Sequence, residues 1–437
     1  MFAKLLRCHD PQASKAYAGL GLSALGMHQI NGFDHLLLGS RKNPEADFGP
    51  ARVYVERSYF FDETVCVGAN ADKTILPWLR DVGLAPREIL EIPNGCMFQG
   101  LKNSQEIFSE LENRVRDGAY LHFFRTTALE QELIQRLNIN WSDTFSCDPK
   151  IAEKIADKGY IRKVASNLGV SEIFPPHMVL PCGWSEEQVE SAVWRVASRG
   201  RLIGMDRVVV KRTDLASGDG FCDWFKNGRA EFCKAHRGHE LIIETWIHPH
   251  TPISNQWLIL DGKAIYIGTS RQIQHGFVHK GNVIASQDAV VDPQIAARLR
   301  YLVAPLLEHA IAMGYNGIIG FDAVYSPEQD KMWLTEANAR VTAGTYAYAL
   351  ASRLEFSPWA VACKIIEPAK GLKTFADVVR SLGFLLYKAG RENGIAPYMI
   401  SGLTLPDGQR RLGLMSIANH VVSAERFLED AEQKLSA

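Results

Sequence analysis

The sequence predicts three consecutive units: an α/β N-terminal domain over residues 1–150, a larger α+β unit over 151–364 and a small α+β extension over 365–437. The first unit alternates short β-rich runs with segments of helical spacing. The second combines helices stopped by glycine with long strand pairs joined at turn signals. In the third, a helical run leads to two strands around residues 406–409 and a final amphipathic helix.

Taken in order, HLLLGSR, ARVYVE, ETVCVGA and YLHFF are short apolar or β-rich runs. Between them DKTILPWLRDVG and TTALEQELIQRLNI have helical spacing, the latter with Thr127 as N-cap and Glu130 three residues on. Neither GxGxxG after a strand nor GxxxxGK[ST] occurs, which excludes those two modes of nucleotide binding. DKGYIRKVASNLGV reads as a helix ended by Gly169, and Ser185 with Gln188 caps another whose Val189, Val193 and Val196 form an apolar stripe. RVVVKRTDLASGDGF is a strand that carries a lysine into a small-residue loop, and ELIIETWI is a further strand. ISNQWLILDGKAIYIGTSRQI is a hairpin turning at Asp261 and Gly262. Asp292 and Pro293 open a long helix that stops at Gly314, with Pro305 inside it. FADVVRSLGFLLYKAG is expected to be helical, APYMISGLTLPDGQRRLGLMSIA to form two strands, and 423–435 the last helix.

Composition narrows the function. With 437 residues, 46% hydrophobic and 22% charged, the chain is an ordinary globular protein large enough for two or three cores. A formal net charge of −1 and the lack of a basic tract provide no field to attract nucleic acid or an anionic membrane, so small molecules are the expected partners. The eight cysteines show neither a CxxC pair nor zinc-ligand spacing and are expected to be free thiols in a reducing compartment. The segment MFAKLLRCHD has no signal-peptide core, and no stretch reaches the roughly 18 apolar residues of a membrane span; a cytoplasmic protein is expected.

Chemistry concentrates at 317–346. GIIGFDAVY and KMWLTEANA are two strands joined by the polar 326–330 loop. If Tyr325 faces Lys331, Asp322 lies opposite Leu334, and Asp322, Glu336 and Asn338 share a face. Two carboxylates and an amide oxygen on one face suit Mg²⁺, completed by waters and phosphates. Arg340 follows, placed to neutralise charge on a phosphate or an oxyanion. The alternative, a solvated hairpin face, sits poorly with the apolar neighbours Trp333, Leu334 and Ala337, since a buried carboxylate needs a partner.

Upstream, Lys158 stands near a helix start and Lys211 at the end of VVVK. The loop containing Ser217, Gly218 and Gly220 then offers close backbone approach and N–H donors to phosphates, with the lysines as point charges. Taken alone, the glycine pair is an ordinary turn. The order lysine, lysine plus loop, apolar linker strand, acidic hairpin is specific.

That order resembles the ATP-grasp superfamily over about 150–350. The matching segments are Asp157 and Lys158 followed by LGV, VVVK with its loop, LIIETWI, GFDAVY and EANAR at 336–340. The N-terminal region, HGFVHKGNVIAS, EANARVTAGTY and the C-terminal APYMISGLTL are similar to the branch with a pre-ATP-grasp domain, which includes peptide ligases. The resemblance implies two lobes clasping ATP, with Lys158 and Lys211 on the phosphates. The linker 243–247 then lines the adenine, where Glu244 and Trp246 act mainly through backbone and apolar neighbours such as Ile247 provide the pocket. It also implies Mg²⁺, with Mn²⁺ as the alternative, at Asp322, Glu336 and Asn338. Many members carry a ribose-binding glutamate soon after the linker. HPHTPISNQ has none, leaving Ser254, Asn255 or another arrangement.

The activity so implied is ATP-dependent joining of a carboxylic acid to an amine, amino acid or peptide through an acyl phosphate, with Lys211 and Arg340 as catalytic groups. A small-molecule kinase on the same scaffold and a non-catalytic ATP-binding module are the other readings. Arg271, His275 and His279 lie where a loop can reach the acceptor side, although structural roles suit the histidines better. A homodimer is expected by analogy of fold only.

Overall fold

The computed structural model describes residues 27–30, 56–60, 64–68, 72–92, 104–117, 120–123, 126, 128–141, 144–214, 220–226, 228–276, 278–405 and 410–436. The N-terminal part contains β1 (Met27–Ile30), β2 (Thr64–Gly68), α1 (Leu76–Asp81), β3 (Glu88–Ile92), α2 (Gln105–Arg116), β4 (Tyr120–Phe123) and α3 (Ala128–Leu137). Its strands form a parallel sheet in the order β3-β2-β1-β4. Parallel neighbours need crossovers, which the helices supply. Phe108 and Leu111 of α2 and Leu133 and Ile134 of α3 bury against Leu121 and Phe123 of β4. The strands expected at 35–41 and 51–55, and the Thr127 cap, lie outside the described residues; Glu56 opens a 3-10 turn, Glu56–Phe60. β1, β3 and α2 are not anticipated from the sequence, although Ser104 caps α2 by accepting from the Ile107 N–H.

The next layer comprises α4 (Pro149–Ala156), α5 (Lys158–Asn167), β5 (His177–Leu180), α6 (Glu186–Arg201), β6 (Val208–Arg212), β7 (Phe221–Asp223), α7 (Arg229–His236) and β8 (Leu241–Thr245). The strands pair antiparallel as β5-β8-β6-β7. Strand alternation sends Val208 and Val210 of β6 and Leu241 and Ile243 of β8 into the core made with α6. Lys211 and Glu244 consequently occupy the opposite face. α6 begins with the expected Ser185/Gln188 capping box.

The largest layer is an antiparallel sheet in the order β13-β12-β9-β10-β11-β14-β16-β15. Its strands are β9 (Thr251–Leu260), β10 (Lys263–His275), β11 (Val278–Ala285), β12 (Gly317–Ser326), β13 (Lys331–Asn338), β14 (Ala360–Ile366), β15 (Gly394–Tyr398) and β16 (Leu412–Ala418). The β9/β10 hairpin turns at Asp261 and Gly262, both at positive φ (50° and 70°), as a two-residue turn of this hand requires. α8 (Pro293–Ala312), capped by Asp292, buries Leu299, Val303 and Leu306 against Ile319 and Phe321 of β12. The helices α9 (Ala343–Ala351), α10 (Phe375–Leu382) and α11 (Val421–Ser436) contribute to the other core.

Two expectations change here. The helix read through residue 390 ends at Leu382, where Gly383 turns the chain at φ 58°. The boundary placed between 364 and 365 falls inside β14, and β15 and β16 continue the sheet of the middle unit. Local pattern reveals strand type, whereas sheet membership is decided by distant partners. Glu56 also reaches across 345 residues to accept from the Ser401 N–H, tying the first unit to the last.

Candidate active site

Lys158 is the first residue of α5, directly after the N-cap Asp157, whose carboxylate accepts from the Tyr160 N–H at 2.6 Å. Lys211 lies on β6 opposite Ile242, so Glu244, two residues along β8, shares its face. The Lys211 ammonium bonds the Glu244 carboxylate, and both side chains are almost wholly buried. Arg162 completes the group: one nitrogen donates to the Glu244 carboxylate at 2.5 Å and to the Thr335 carbonyl at 3.1 Å, the other to the Lys158 carbonyl at 2.9 Å. Burial pushes Lys211 down to about 8, against the upward pull of Glu244. Burial also disfavours the Glu244 carboxylate, but Lys211 and Arg162 together hold it below the usual carboxylate range.

The acidic hairpin faces this cluster. β12 and β13 pair Ser326 with Lys331 and Ala323 with Leu334, one residue off the expected register. A β-bulge then leaves Thr335 unpaired, and Asp322 stands opposite Glu336. Without the bulge, Glu336 would oppose Phe321 and point into the core on the α8 side. The expected face is thus reached through a register that sequence alternation alone does not provide. The carbonyl of Thr335 accepts from Arg162, so the irregular residue is itself held by α5.

Asn338 Nδ2 lies 3.1 Å from Asp322 Oδ2 and 3.4 Å from Glu336 Oε1, which confirms one shared face. Arg340 donates to Asn338 Oδ1 at 2.9 Å and to its neighbour Val341's carbonyl. Burial and the adjacent Glu336 charge push Asp322 up to about 7, against hydrogen bonds from Ser254 and Gln272. Glu336 is held well below the usual range: burial opposes its charge, but Lys158 and Lys211 outweigh it. The nearest of these cations is Lys158, whose Nζ is 3.1 Å from Glu336 Oε2. Two carboxylates are thus crowded together, Asp322 reluctant to ionise and Glu336 held ionised chiefly by Lys158 and Lys211. Asn338 turns its nitrogen to these carboxylates and its oxygen to Arg340; with the amide turned over, two carboxylates and an amide oxygen fit an ion whose remaining ligands are water and phosphate.

The other candidates are placed as follows. Ser217 and Gly218 lie outside the described residues; Gly220 sits at φ 69° and its carbonyl accepts from the Arg212 N–H. Trp246 donates its N–H to the Arg207 carbonyl, and Ile247 packs with Met205, Val324 and Trp333 between the two sheets. Glu244, expected to act through its backbone, binds Lys211 and Arg162 through its side chain. Ser254 lies opposite Asp322 on β9, where it favours the ionised carboxylate, while Asn255 points to the other face of the sheet. Sequence reasoning missed Arg162 and Gln272. Arg162 had a readable signal, since a residue four beyond Lys158 on a helix lies on the same face.

No family model matches the chain, and no curated protein matches it. Solved structures do. Carboxyaminoimidazole ribonucleotide synthase from Aspergillus clavatus, complexed with ATP, is 11% identical with a TM-score of 0.56, over 94% of this chain and 98% of that one. A biotin carboxylase–β,γ-ATP complex from Campylobacter jejuni is 14% identical with a TM-score of 0.54, over 94% and 91%. The biotin carboxylase domain dimer of Hydrogenobacter thermophilus 2-oxoglutarate carboxylase, in complex with MgADP, ADP and bicarbonate, is 12% identical with a TM-score of 0.54, over 93% and 89%. The chain has the ATP-grasp fold. Among the described residues, no helix is long and apolar enough to cross a membrane.

Proposed function

We propose that this protein is an ATP-dependent carboxylate–amine ligase acting through an acyl phosphate. The observation that carries the reading is the meeting of Lys211, from the β5–β8 sheet, and Lys158, from α5, with Asp322, Glu336, Asn338 and Arg340, linked by the Lys158–Glu336 contact of 3.1 Å. The solved structures of like fold, bound to ATP or MgADP, support the nucleotide and the metal.

In this reading Lys158 and Lys211 hold phosphate oxygens, and the 216–220 loop adds backbone donors. Asp322, Glu336 and the Asn338 oxygen would hold Mg²⁺, or Mn²⁺ in its place. The ion supplies charge neutralisation on the phosphates. The substrate carboxylate attacks the γ-phosphorus of ATP; the bond to the bridging oxygen breaks and ADP leaves. The amine then attacks the acyl carbon, a C–N bond forms, phosphate leaves with the C–O electron pair, and the nitrogen gives up its proton. Arg340, beyond the metal-binding face, stabilises the oxyanion of that second step. Phosphoryl transfer depends on positioning and charge neutralisation, so no nucleophilic side chain is required. The free thiols of Cys147, Cys222, Cys233 and Cys363 support a reducing, cytoplasmic setting. A homodimer is proposed on the analogy of the dimeric 2-oxoglutarate carboxylase domain.

A kinase would use the same residues, and a binding module would need only some of them. A screen of acids crossed with amines, read by mass spectrometry with ADP and phosphate assays, separates the three. A ligase releases free phosphate and an amide only when both substrates are present. A kinase leaves the phosphoryl group on the product, and a binding module releases no ADP.

A further inference from the structure

Asn338 makes contacts that a metal ligand at its position cannot keep. Its Nδ2 lies 3.1 Å from Asp322 Oδ2 and 3.4 Å from Glu336 Oε1, and its Oδ1 accepts from Arg340 Nη2 at 2.9 Å. The partners fix which atom is which. Carboxylate oxygens accept and guanidinium nitrogens donate, so the amide faces the first with its nitrogen and the second with its oxygen. The side chain is buried, so either atom is costly to leave without a partner.

A divalent ion held by Asp322 and Glu336 reverses that demand. Such an ion takes oxygen from an amide, so the side chain must turn over about its Cβ–Cγ bond, which carries Nδ2 to the place Oδ1 held. Nδ2 and the guanidinium are both donors, and the contact that held Arg340 is lost. The backbone around Arg340 cannot follow. Its N–H donates to the Asn338 carbonyl at 2.8 Å, and two residues on, Thr342 begins α9 with its N–H on Thr345 Oγ1 at 3.0 Å and its hydroxyl accepting from Gln256 at 2.6 Å. Arg340 Nη1 keeps the Val341 carbonyl at 3.2 Å, so Nη2 is the nitrogen that changes partner.

We propose that Asn338, besides ligating the ion, is the positioning residue of Arg340. Turned one way its amide holds the guanidinium; turned the other, with the ion, it releases Nη2 to an anionic oxygen of the substrate. Arg340 thus becomes available to an anion once the ion is in place, and by reciprocity an anion on Arg340 tightens the ion. The inference rests on the ligase reading for the identity of that anion, but the turn of the amide is independent of turnover.

Phenylglyoxal labelling of the full-length protein, with the Arg340 peptide quantified by mass spectrometry, reads the guanidinium without acid, amine or nucleotide. Mg²⁺, at concentrations that displace bound Mn²⁺ in electron paramagnetic resonance, is expected to raise the labelling rate of Arg340 at least about tenfold, the size of one charge-assisted hydrogen bond. Two variants separate the turn of the amide from a general effect of the ion. The carboxylate of Asn338→Asp presents oxygen on both sides, so it ligates the ion and still accepts from Arg340; this variant should bind Mn²⁺ yet show less than about a twofold effect of Mg²⁺. Asn338→Ala lacks the acceptor and should label fast with or without Mg²⁺.

An unchanged or slower rate in the parent with Mg²⁺, or no Mn²⁺ binding by the parent, overturns the proposal. So does an acceleration of the same size in Asn338→Asp, or slow labelling of Asn338→Ala that Mg²⁺ still accelerates. The ligase reading fails on different grounds: no ATP turnover with any acid and amine, whatever the labelling of Arg340 does.

Discussion

The Lys158 ammonium lies 3.1 Å from the Glu336 carboxylate, joining the first turn of α5 to the bulged strand β13 across the cleft. In the proposed mechanism the two groups serve different ligands, phosphate for the lysine and metal for the glutamate. Each therefore fills the other's site until those ligands arrive. An arriving divalent cation must displace an ammonium, and the displaced ammonium is then available to phosphate.

This exchange predicts opposite effects from one substitution. Lys158→Met should increase the affinity for Mn²⁺ alone, because the competing cation is gone, and should weaken the binding of MnATP several-fold, because a phosphate contact is lost. Electron paramagnetic resonance of free Mn²⁺ measures both. A loss in both titrations, or in neither, removes the exchange.

The depressed Lys211 sets an alkaline limit. Its ammonium titrates at about 8 in the free protein, and a neutral amine no longer neutralises phosphate charge. The kcat/KM for ATP, which reports free-enzyme groups, should fall as pH rises through about 8. Glu244 raises the lysine's pKa, so Glu244→Gln should shift that limb to lower pH. A limb that stays in place in the variant would show that Lys211 is not the titrating group.

Arg162 is buried and bonds Glu244, Thr335 and Lys158 at once. Replacing it by Met leaves the buried Glu244 with one cation instead of two and the bulge carbonyl without this donor. A loss of about 3–5 kcal/mol is expected in urea unfolding, the range for breaking a buried pair. A loss below about 1 kcal/mol would mark the cluster as solvated in solution.

Turnover and folding should separate at Glu336 and Lys211. Glu336→Gln and Lys211→Ala are each expected to abolish ATP consumption while thermal unfolding stays cooperative. Persistent turnover in both would refute the assignment of these residues.

Stability should also depend on Glu56, whose carboxyl burial pushes up to about 8. Between the unfolded value near 4.5 and about 8 the folded chain binds more protons than the unfolded one, so stability falls as pH rises across that window. Glu56→Gln removes the dependence. Its Tm relative to the parent should therefore be higher at pH 8.5 than at pH 5, as differential scanning calorimetry can check.

Much of this architecture was legible because local chemistry and tertiary role coincide. Asp292 and Pro293 announce α8, Asp261 and Gly262 the β9/β10 turn, and the face shared by Glu336 and Asn338 follows from strand periodicity, whereas Asp322 joins it only through the bulge. What was hidden depends on distant segments. That β15 and β16 complete the central sheet is decided by partners far along the chain, and Arg162 matters because of Glu244 and Thr335, 82 and 173 residues away. The extra residue at Thr335 leaves no trace in an apolar pattern, since a strand with or without it reads alike.

That single unpaired threonine fixes the phase of everything beyond it. Deleting it would turn the remainder of β13 by half a pleat, so that Ala337 and Ala339 take the places of Glu336 and Asn338 while length, composition and hydropathy hardly change. A chain of this lineage with one residue fewer there would keep its shape and lose its chemistry, making hairpin length, as much as the identity of the acids, the trait to compare when active and silent copies are sorted.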